Sequence, residues 1–348
     1  MKKIYKRFLL MLLLPMIIMV MLTGNYYFRK SQRSYNFERN FKNVIDGIKV
    51  MDLTYNSFYF AGLNNDHLYL GNKTASKYVF KVNTAMTDTQ SLRIRIDKKD
   101  FKKGIYKLTV DSASFYLMDG NTRTIFKGET GKWTAKPYVI GVPYFSQNVP
   151  LSDNSMICRF VGFKTYANSL RKVSKTAPPI TNNNLLKRQV DGLFCTDGLL
   201  QYHKELNLLS YMYFYRNQIL LMDTNLNLVN KIKTIDPIDT AKFKVAKIDA
   251  NRSITFSSPP LEVNANSSSY GSLIYVHSKI PAKNDEEATL KNAIVIDVYH
   301  LKNQQYLYSF YLRNPNRQRT IQFKVAGNYI FALSDQYLIR YTLKLPAH

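Results

Sequence analysis

Five side chains stand near the ends of extended segments, where acid–base or metal chemistry is easily arranged: His67, His203, Asp111, Asp191 and Asp197. Imidazoles and carboxylates that converge can hold a metal or move protons, so a fold that gathered these five would build a hydrolase or lyase site for a sugar, lactone or peptide. Spacing alone gathers none of them. The histidines at 67, 203, 277, 300 and 348 never fall within five residues of one another, so no local metal motif exists. His-Glu-x-x-His, Gly-x-Ser-x-Gly, the Walker loop and Gly-x-Gly-x-x-Gly are all absent, which argues against those routes to protease, esterase, NTP and dinucleotide chemistry. Asp223-Thr-Asn225-Leu-Asn227 opens like a calcium loop. Leu228 then stands where glycine is needed and Thr234 where the bidentate glutamate belongs, so these side chains are expected to cap a turn. No metal or cofactor is expected.

Binding chemistry is better represented. Lys+Arg number 49 against 24 Asp+Glu, a net charge of +25. Two stretches hold basic residues and no acid: 154–190, with Arg159, Lys164, Arg171, Lys172, Lys175, Lys187 and Arg188, and 298–334, with Lys302, Arg313, Arg317, Arg319 and Lys324. Arg171, Lys172, Arg188, Arg313, Arg317 and Arg319 are the candidate binding residues, for an anionic lipid, an acidic polysaccharide or an envelope protein. The alternative is a lysine-rich composition with solvated faces. Cys158 and Cys195, 37 residues apart, either form a disulfide or are two small buried apolar residues.

These residues need elements to position them, and from Asn43 onward the pattern is period two. Phe58–Leu63, His67–Leu70, Lys77–Val82 and Ser91–Ile96 read as four short strands joined by Asn, Asp and Gly turns. Looser groups follow at Tyr106–Lys127 and Met156–Val173. A clear group spans Gly192–Ile232, another is assembled from Ser253–Phe256, Leu273–His277, Ala293–Tyr299 and Gln305–Leu312, and the last runs from Ile321 to Leu343. A short helix within Phe37–Ile48 is a further expectation. Four-stranded units recurring every ~40–50 residues predict an all-β fold, a β-propeller of six blades or seven, in which the first and last segments share a blade. A β-sandwich or a pair of barrels is the alternative. Aromatic residues, 26 Tyr and 20 Phe, would fill the space between blades or ring a channel mouth.

The Phe58–Leu70 hairpin, the Gly192–Ile232 group and the Tyr329–Leu343 hairpin resemble those of bacterial membrane-anchored six-bladed propeller proteins. The chain lacks the repeated Trp-Asp and Tyr-Trp-Thr-Asp motifs of other propellers, so the resemblance implies architecture and export, and no activity.

The N-terminus fits that implication. Lys2, Lys3, Lys6 and Arg7 precede an uncharged apolar run, Phe8–Leu22, followed by Tyr26, Tyr27 and Phe28 and then Arg29 and Lys30. This reads as an uncleaved signal anchor over residues 1–34 or, alternatively, a cleaved signal peptide. Positive charge ahead of the run would keep that end in the cytoplasm and place residues 35–348 in the periplasm, single-pass in the inner membrane. Residues 1–34 hold seven of the basic residues, which leaves +18 on the body. The expected function is a membrane-anchored binding or scaffold module, with an exported propeller enzyme as the rival. Nucleic acid is not an expected partner outside the cytoplasm.

Overall fold

A computed structural model describes residues 15–16, 19–23, 35–64, 66–96, 104, 106–140, 142, 144–162, 166–248, 253–315 and 322–344. The N-terminal anchor expected over 1–34 lies almost wholly outside these residues. Among them no helix is long and apolar enough to cross a membrane.

The strands form six four-stranded antiparallel blades and one small hairpin. The chain enters through β1 (Ile45–Asp52), which belongs to the last blade. Blade 1 is β2 (Phe58–Asn64), β3 (His67–Asn72), β4 (Tyr78–Asn83) and β5 (Thr89–Arg93). The two-residue β6 (Arg95–Ile96) then pairs in parallel with the outer strand of blade 2, which comprises β7 (Lys107–Asp111), β8 (Ser114–Asp119), β9 (Thr124–Glu129) and β10 (Thr134–Ile140). Blade 3 is β11 (Phe145–Pro150), β12 (Met156–Val161), β13 (Asn168–Val173) and β14 (Ile180–Asn182). Blade 4 is β15 (Gly198–His203), β16 (Leu208–Tyr213), β17 (Gln218–Met222) and β18 (Leu228–Lys233). An inserted hairpin, β19 (Val245–Ile248) and β20 (Ser253–Phe256), precedes blade 5: β21 (Asn264–Tyr270), β22 (Leu273–Ser278), β23 (Ala293–His300) and β24 (Gln305–Arg313). Blade 6 is β25 (Gln322–Ala326), β26 (Tyr329–Ser334), β27 (Tyr337–Leu343) and finally β1, antiparallel to β27 with Val50 opposite Ile339. The six-bladed propeller is the expected fold, closed as expected by the first and last segments.

Three local expectations are corrected. Residues 37–48 form an extended strap and the start of β1, with no helix. Ser253–Phe256 lies in the inserted hairpin, and the true first strand of blade 5 is the polar segment Asn264–Tyr270. Gly192–Cys195 is a capped turn before blade 4, not a strand.

Six apolar clusters fill the six blade interfaces. Between blades 3 and 4, Ile157 and Leu170 meet Tyr211, Tyr213 and Leu220. Between blades 4 and 5, Met212, Ile219 and Leu221 meet Ile274, Val276 and Tyr299. Adjacent residues of one strand, Tyr211 and Met212, thus serve opposite interfaces, because successive side chains point to opposite faces. Second strands are buried on both faces and read as continuous apolar runs for that reason.

Fourth strands cross to the next blade at what we term the upper face. First strands run from that face to the lower face, where they turn into second strands. First strands touch at five of the six seams, with β25 meeting β2 where the ring closes. The approach is tight: a Cβ on Gly62 would lie 2.1 Å from the Val110 carbonyl oxygen. Side chains stitch these strands together. The Phe60 N–H donates to Gln322 Oε1 (3.3 Å), the Leu108 N–H to Tyr59 Oη (2.6 Å) and the Val325 N–H to Ser268 Oγ (2.9 Å). Gln201 donates to the Ser267 carbonyl (2.7 Å), and Gln147 to that of Gly198 (2.6 Å).

The strap before β1 is held by Arg39. Its guanidinium is fully buried and donates to both oxygens of Asp285 (2.9 and 2.7 Å), to Asp297 Oδ1 (2.9 Å), to Ser278 Oγ (2.9 Å) and to the Ile280 carbonyl (3.0 Å). Burial alone would lower its pKa, but the two carboxylates outweigh burial and raise it.

Candidate functional site

The first strands of blades 2, 4 and 6 each carry a basic residue. Lys107 opens β7 and is exposed, Lys324 is the third of five residues in β25 and is half-buried, and His203 ends β15, buried. Strand alternation explains the placement of Lys324. Phe323 and Val325 face the interface with blade 5, while Gln322 and Lys324 turn toward blade 1. Lys107 stands 6.0 Å above the Tyr59 ring, at the seam of blades 1 and 2.

These groups feel one another. Burial lowers the Lys107 pKa, and Lys73 on the upper rim adds to that. Burial and then Lys107 lower the pKa of Lys324. Burial and then Lys324 pull His203 down to about 4, so its imidazole is neutral at pH 7. Among the described residues neither lysine has an ion pair, and neither ring nitrogen of His203 has a hydrogen-bond partner. At the lower mouth Lys204 spans from blade 4 to blade 2, donating to Ser112 Oγ (2.8 Å), with Asp111 3.7 Å away.

The acid–base candidates are distributed otherwise. Asp191 caps its own turn, accepting from the N–H groups of Leu193 (3.1 Å), Phe194 (2.8 Å) and Cys195 (2.7 Å). Asp197 pairs with Arg159, which also donates to the Gly198 carbonyl (3.1 Å) and to Tyr211 Oη (3.2 Å). Both lie near Tyr215 on the upper face. Its phenol is pushed up to about 12, first by burial and then by Asp197, Glu262 and Asp191. Tyr215 packs with Phe194, Phe243 and Phe256, rings 4.1–6.4 Å apart, and this cluster seats the β19–β20 hairpin. Asp111 and His67 sit on the lower face, so the five candidates do not converge. Among the described residues no group of three His, Cys, Asp or Glu could hold a metal. Asp223 caps its turn, accepting from the N–H groups of Asn225 (2.9 Å) and Asn227 (2.8 Å).

The basic candidates occupy different faces. Lys172 points to the lower face, 2.9 Å from Asp153, and its neighbour Arg171 donates to Thr181 (2.8 Å) and lies 4.6 Å over the Phe160 ring. Arg188 and Arg313 are exposed on the upper face, at blades 4 and 5. Arg317 and Arg319 lie outside the described residues. Cys158 and Cys195 are free, buried thiols and form no disulfide. Cys158 faces the blade 2 interface among Met118 and Ile125, its thiol pushed up to about 12 by burial, whereas Cys195 donates to the Asp191 carbonyl (2.6 Å). Sequence reading counted Lys324 among a basic stretch and passed over Lys107. The signal for both is a lone lysine inside an apolar strand, Tyr-Lys-Leu-Thr-Val and Gln-Phe-Lys-Val-Ala.

No family model matches the chain, and no curated protein matches it in sequence. Solved structures do match. A member of the DUF4221 family from Bacteroides vulgatus superposes with a TM-score of 0.58 at 9% identity, over 88% of this chain and 99% of its own. An exported-protein candidate from Bacteroides fragilis gives 0.53 at 10% identity, over 89% and 98%. A streptogramin B lyase gives 0.50 at 8% identity, over 85% and 98%. The chain therefore shares its fold with two Bacteroides proteins and with a protein named as a lyase. At these identities the likeness is one of fold alone.

Proposed function

We propose that this chain is a binding module for an anionic ligand of the bacterial envelope, with the propeller in the periplasm and residues 1–34 as an inner-membrane anchor. One observation carries the reading. Lys107 and Lys324 stand on the first strands of blades 2 and 6 with no carboxylate paired to either among the described residues. An unneutralised pair of ammonium groups inside a protein is costly, and a ligand of opposite charge relieves the cost. The upper face, where loops sit on a rigid ring, is the entrance.

The expected result is binding of the full chain to phosphatidylglycerol vesicles or an acidic polysaccharide, weakening as salt rises, and little binding to phosphatidylcholine. Equal binding to neutral and anionic vesicles would sink the reading. Protease added to intact spheroplasts should digest the propeller; its survival until lysis would overturn the topology.

A further inference from the structure

We propose that a cavity at the upper end of blade 5 binds a small sugar acid, a polyhydroxylated ring carrying one carboxylate. This goes beyond the reading above and uses neither of its two lysines. The loop joining β22 to β23, residues 279–292, helps to wall a cavity of about 380 Å³. Its lining includes His277 and Ser278 from the end of β22, Ile294 and Val295 from the start of β23, and Leu290 and Asn314 beside them. Hydrogen bonds fix these walls. The Lys279 N–H donates to the Val263 carbonyl (2.8 Å), the Ala282 N–H to Asp285 Oδ2 (2.9 Å) and the Asn314 N–H to the Asn292 carbonyl (2.8 Å), while the Asn314 side-chain amide donates to Ser334 Oγ. Small-ligand pockets span about 300–1,000 Å³ and are largely pre-formed, so this one, near the lower limit, suits one or two rings and not a longer polymer.

Charge and polarity give the ligand class. Asp285 is the only carboxylate lining the cavity among the described residues, and Arg39 already donates to both its oxygens (2.9 and 2.7 Å). Of the two lysines in the lining, Lys279 lies 3.7 Å from Glu262, whereas Lys291 is exposed and has no ion pair among the described residues. One unmatched ammonium calls for one negative charge. The rest of the wall mixes Leu290, Ile294 and Val295 with the amide of Asn292 and the imidazole of His277. A sugar ring offers matching surfaces, an apolar C–H face and an edge of hydroxyls, and a carboxylate on it meets Lys291.

The same loop seats the strap. The Tyr35 N–H donates to the Pro281 carbonyl (3.2 Å), Arg39 to the Ile280 carbonyl (3.0 Å), and the Asn284 amide to the Arg39 carbonyl (2.8 Å). A ligand that steadies the loop therefore steadies the strap, which gives a readout that a carboxylate held loosely by a surface lysine would not move.

The test is titration calorimetry of the full chain with glucuronate, galacturonate and gluconate, against glucose, which lacks the charge, and hexanoate, which lacks the hydroxyls. At least one sugar acid should bind ten-fold or more tighter than both controls. Lys291→Met and Asn292→Ala, both at exposed positions, should each weaken it at least ten-fold, and Lys132→Ala on the lower face should leave it unchanged. A thermal melt checks that each variant folds. Hydrogen exchange at residues 35–42 and 279–292 should slow when the sugar acid is bound. The inference is overturned if no sugar acid gives heat up to about 10 mM, if glucose or hexanoate binds as tightly, if both variants bind as the parent does, or if binding leaves exchange in those segments unchanged. Binding of phosphatidylglycerol vesicles without any response to the sugar acids would sink this inference alone, and the converse would sink only the reading above.

Discussion

Arg39 and Lys324 are cations at least partly withdrawn from solvent, and they are treated in opposite ways. Arg39 meets two carboxylates, a hydroxyl and a carbonyl, so its charge is cancelled within the fold. Lys324 has no ion pair among the described residues, and burial and Lys107 lower its pKa. The first arrangement fastens the strap before β1 to blade 5. The second stores repulsion that a packed core would not retain without a use for it. Residues at binding sites are often poor choices for stability, and this contrast separates structural charge from functional charge.

The contrast can be broken most directly at Arg39. Arg39→Met leaves Asp285 and Asp297 buried without their partner and should cost about 3–5 kcal/mol in urea unfolding. A change near zero would mean the clasp is not structural. His203 gives the next effect. Its folded pKa of about 4 lies below the ordinary 6.5, so the native state binds fewer protons than the unfolded chain. Stability should be complete above pH 6.5 and fall as pH drops toward 4, by about 3 kcal/mol from this residue. His203→Gln should flatten that part of the pH profile; an unchanged slope would show that His203 is not held neutral.

Lys324→Met should act in the opposite sense from Arg39→Met, raising stability at pH 7 by ~1 kcal/mol while removing anion binding. The parent's stability should rise with pH as Lys324 deprotonates, because its folded pKa is lowered, and the methionine variant should lose that rise. Destabilisation by Lys324→Met would erase the distinction between the two regions. The smallest effect is expected at Lys172. Its pair with the exposed Asp153 carboxylate should contribute under about 1 kcal/mol, measured as the difference between Lys172→Ala and the parent.

What could be read from the sequence follows radius within the ring. Second strands such as Leu208–Tyr213 and Tyr329–Ser334 are apolar on both faces and stand out at once. The first strand of blade 5, with three consecutive serines, does not. Six strands converge near the axis, where small side chains fit and polar ones bond to neighbouring backbones, as Ser268 does to Val325. That geometry erases the apolar alternation that marks a strand. Ser253–Phe256 drew attention instead because it alternates, yet it belongs to the hairpin seated on the aromatic cluster. Repetition revealed the ring. The unpaired lysines lie singly on separate strands, where clustering along the chain gives no signal, and the buried His203 was visible only as one of five scattered candidates.

The Arg39 clasp also sets the order in which the molecule would yield to tension. A pull on Tyr35 meets the backbone bonds from the Tyr35 N–H to the Pro281 carbonyl and from the Lys283 N–H to the Phe37 carbonyl, then the Arg39 guanidinium between Asp285 and Asp297, before any load reaches the ladder joining β1 to β27. The strand that closes the ring is thus mechanically shielded from a pull on the residues before it: the load is diverted into blade 5, and the ring keeps its shape.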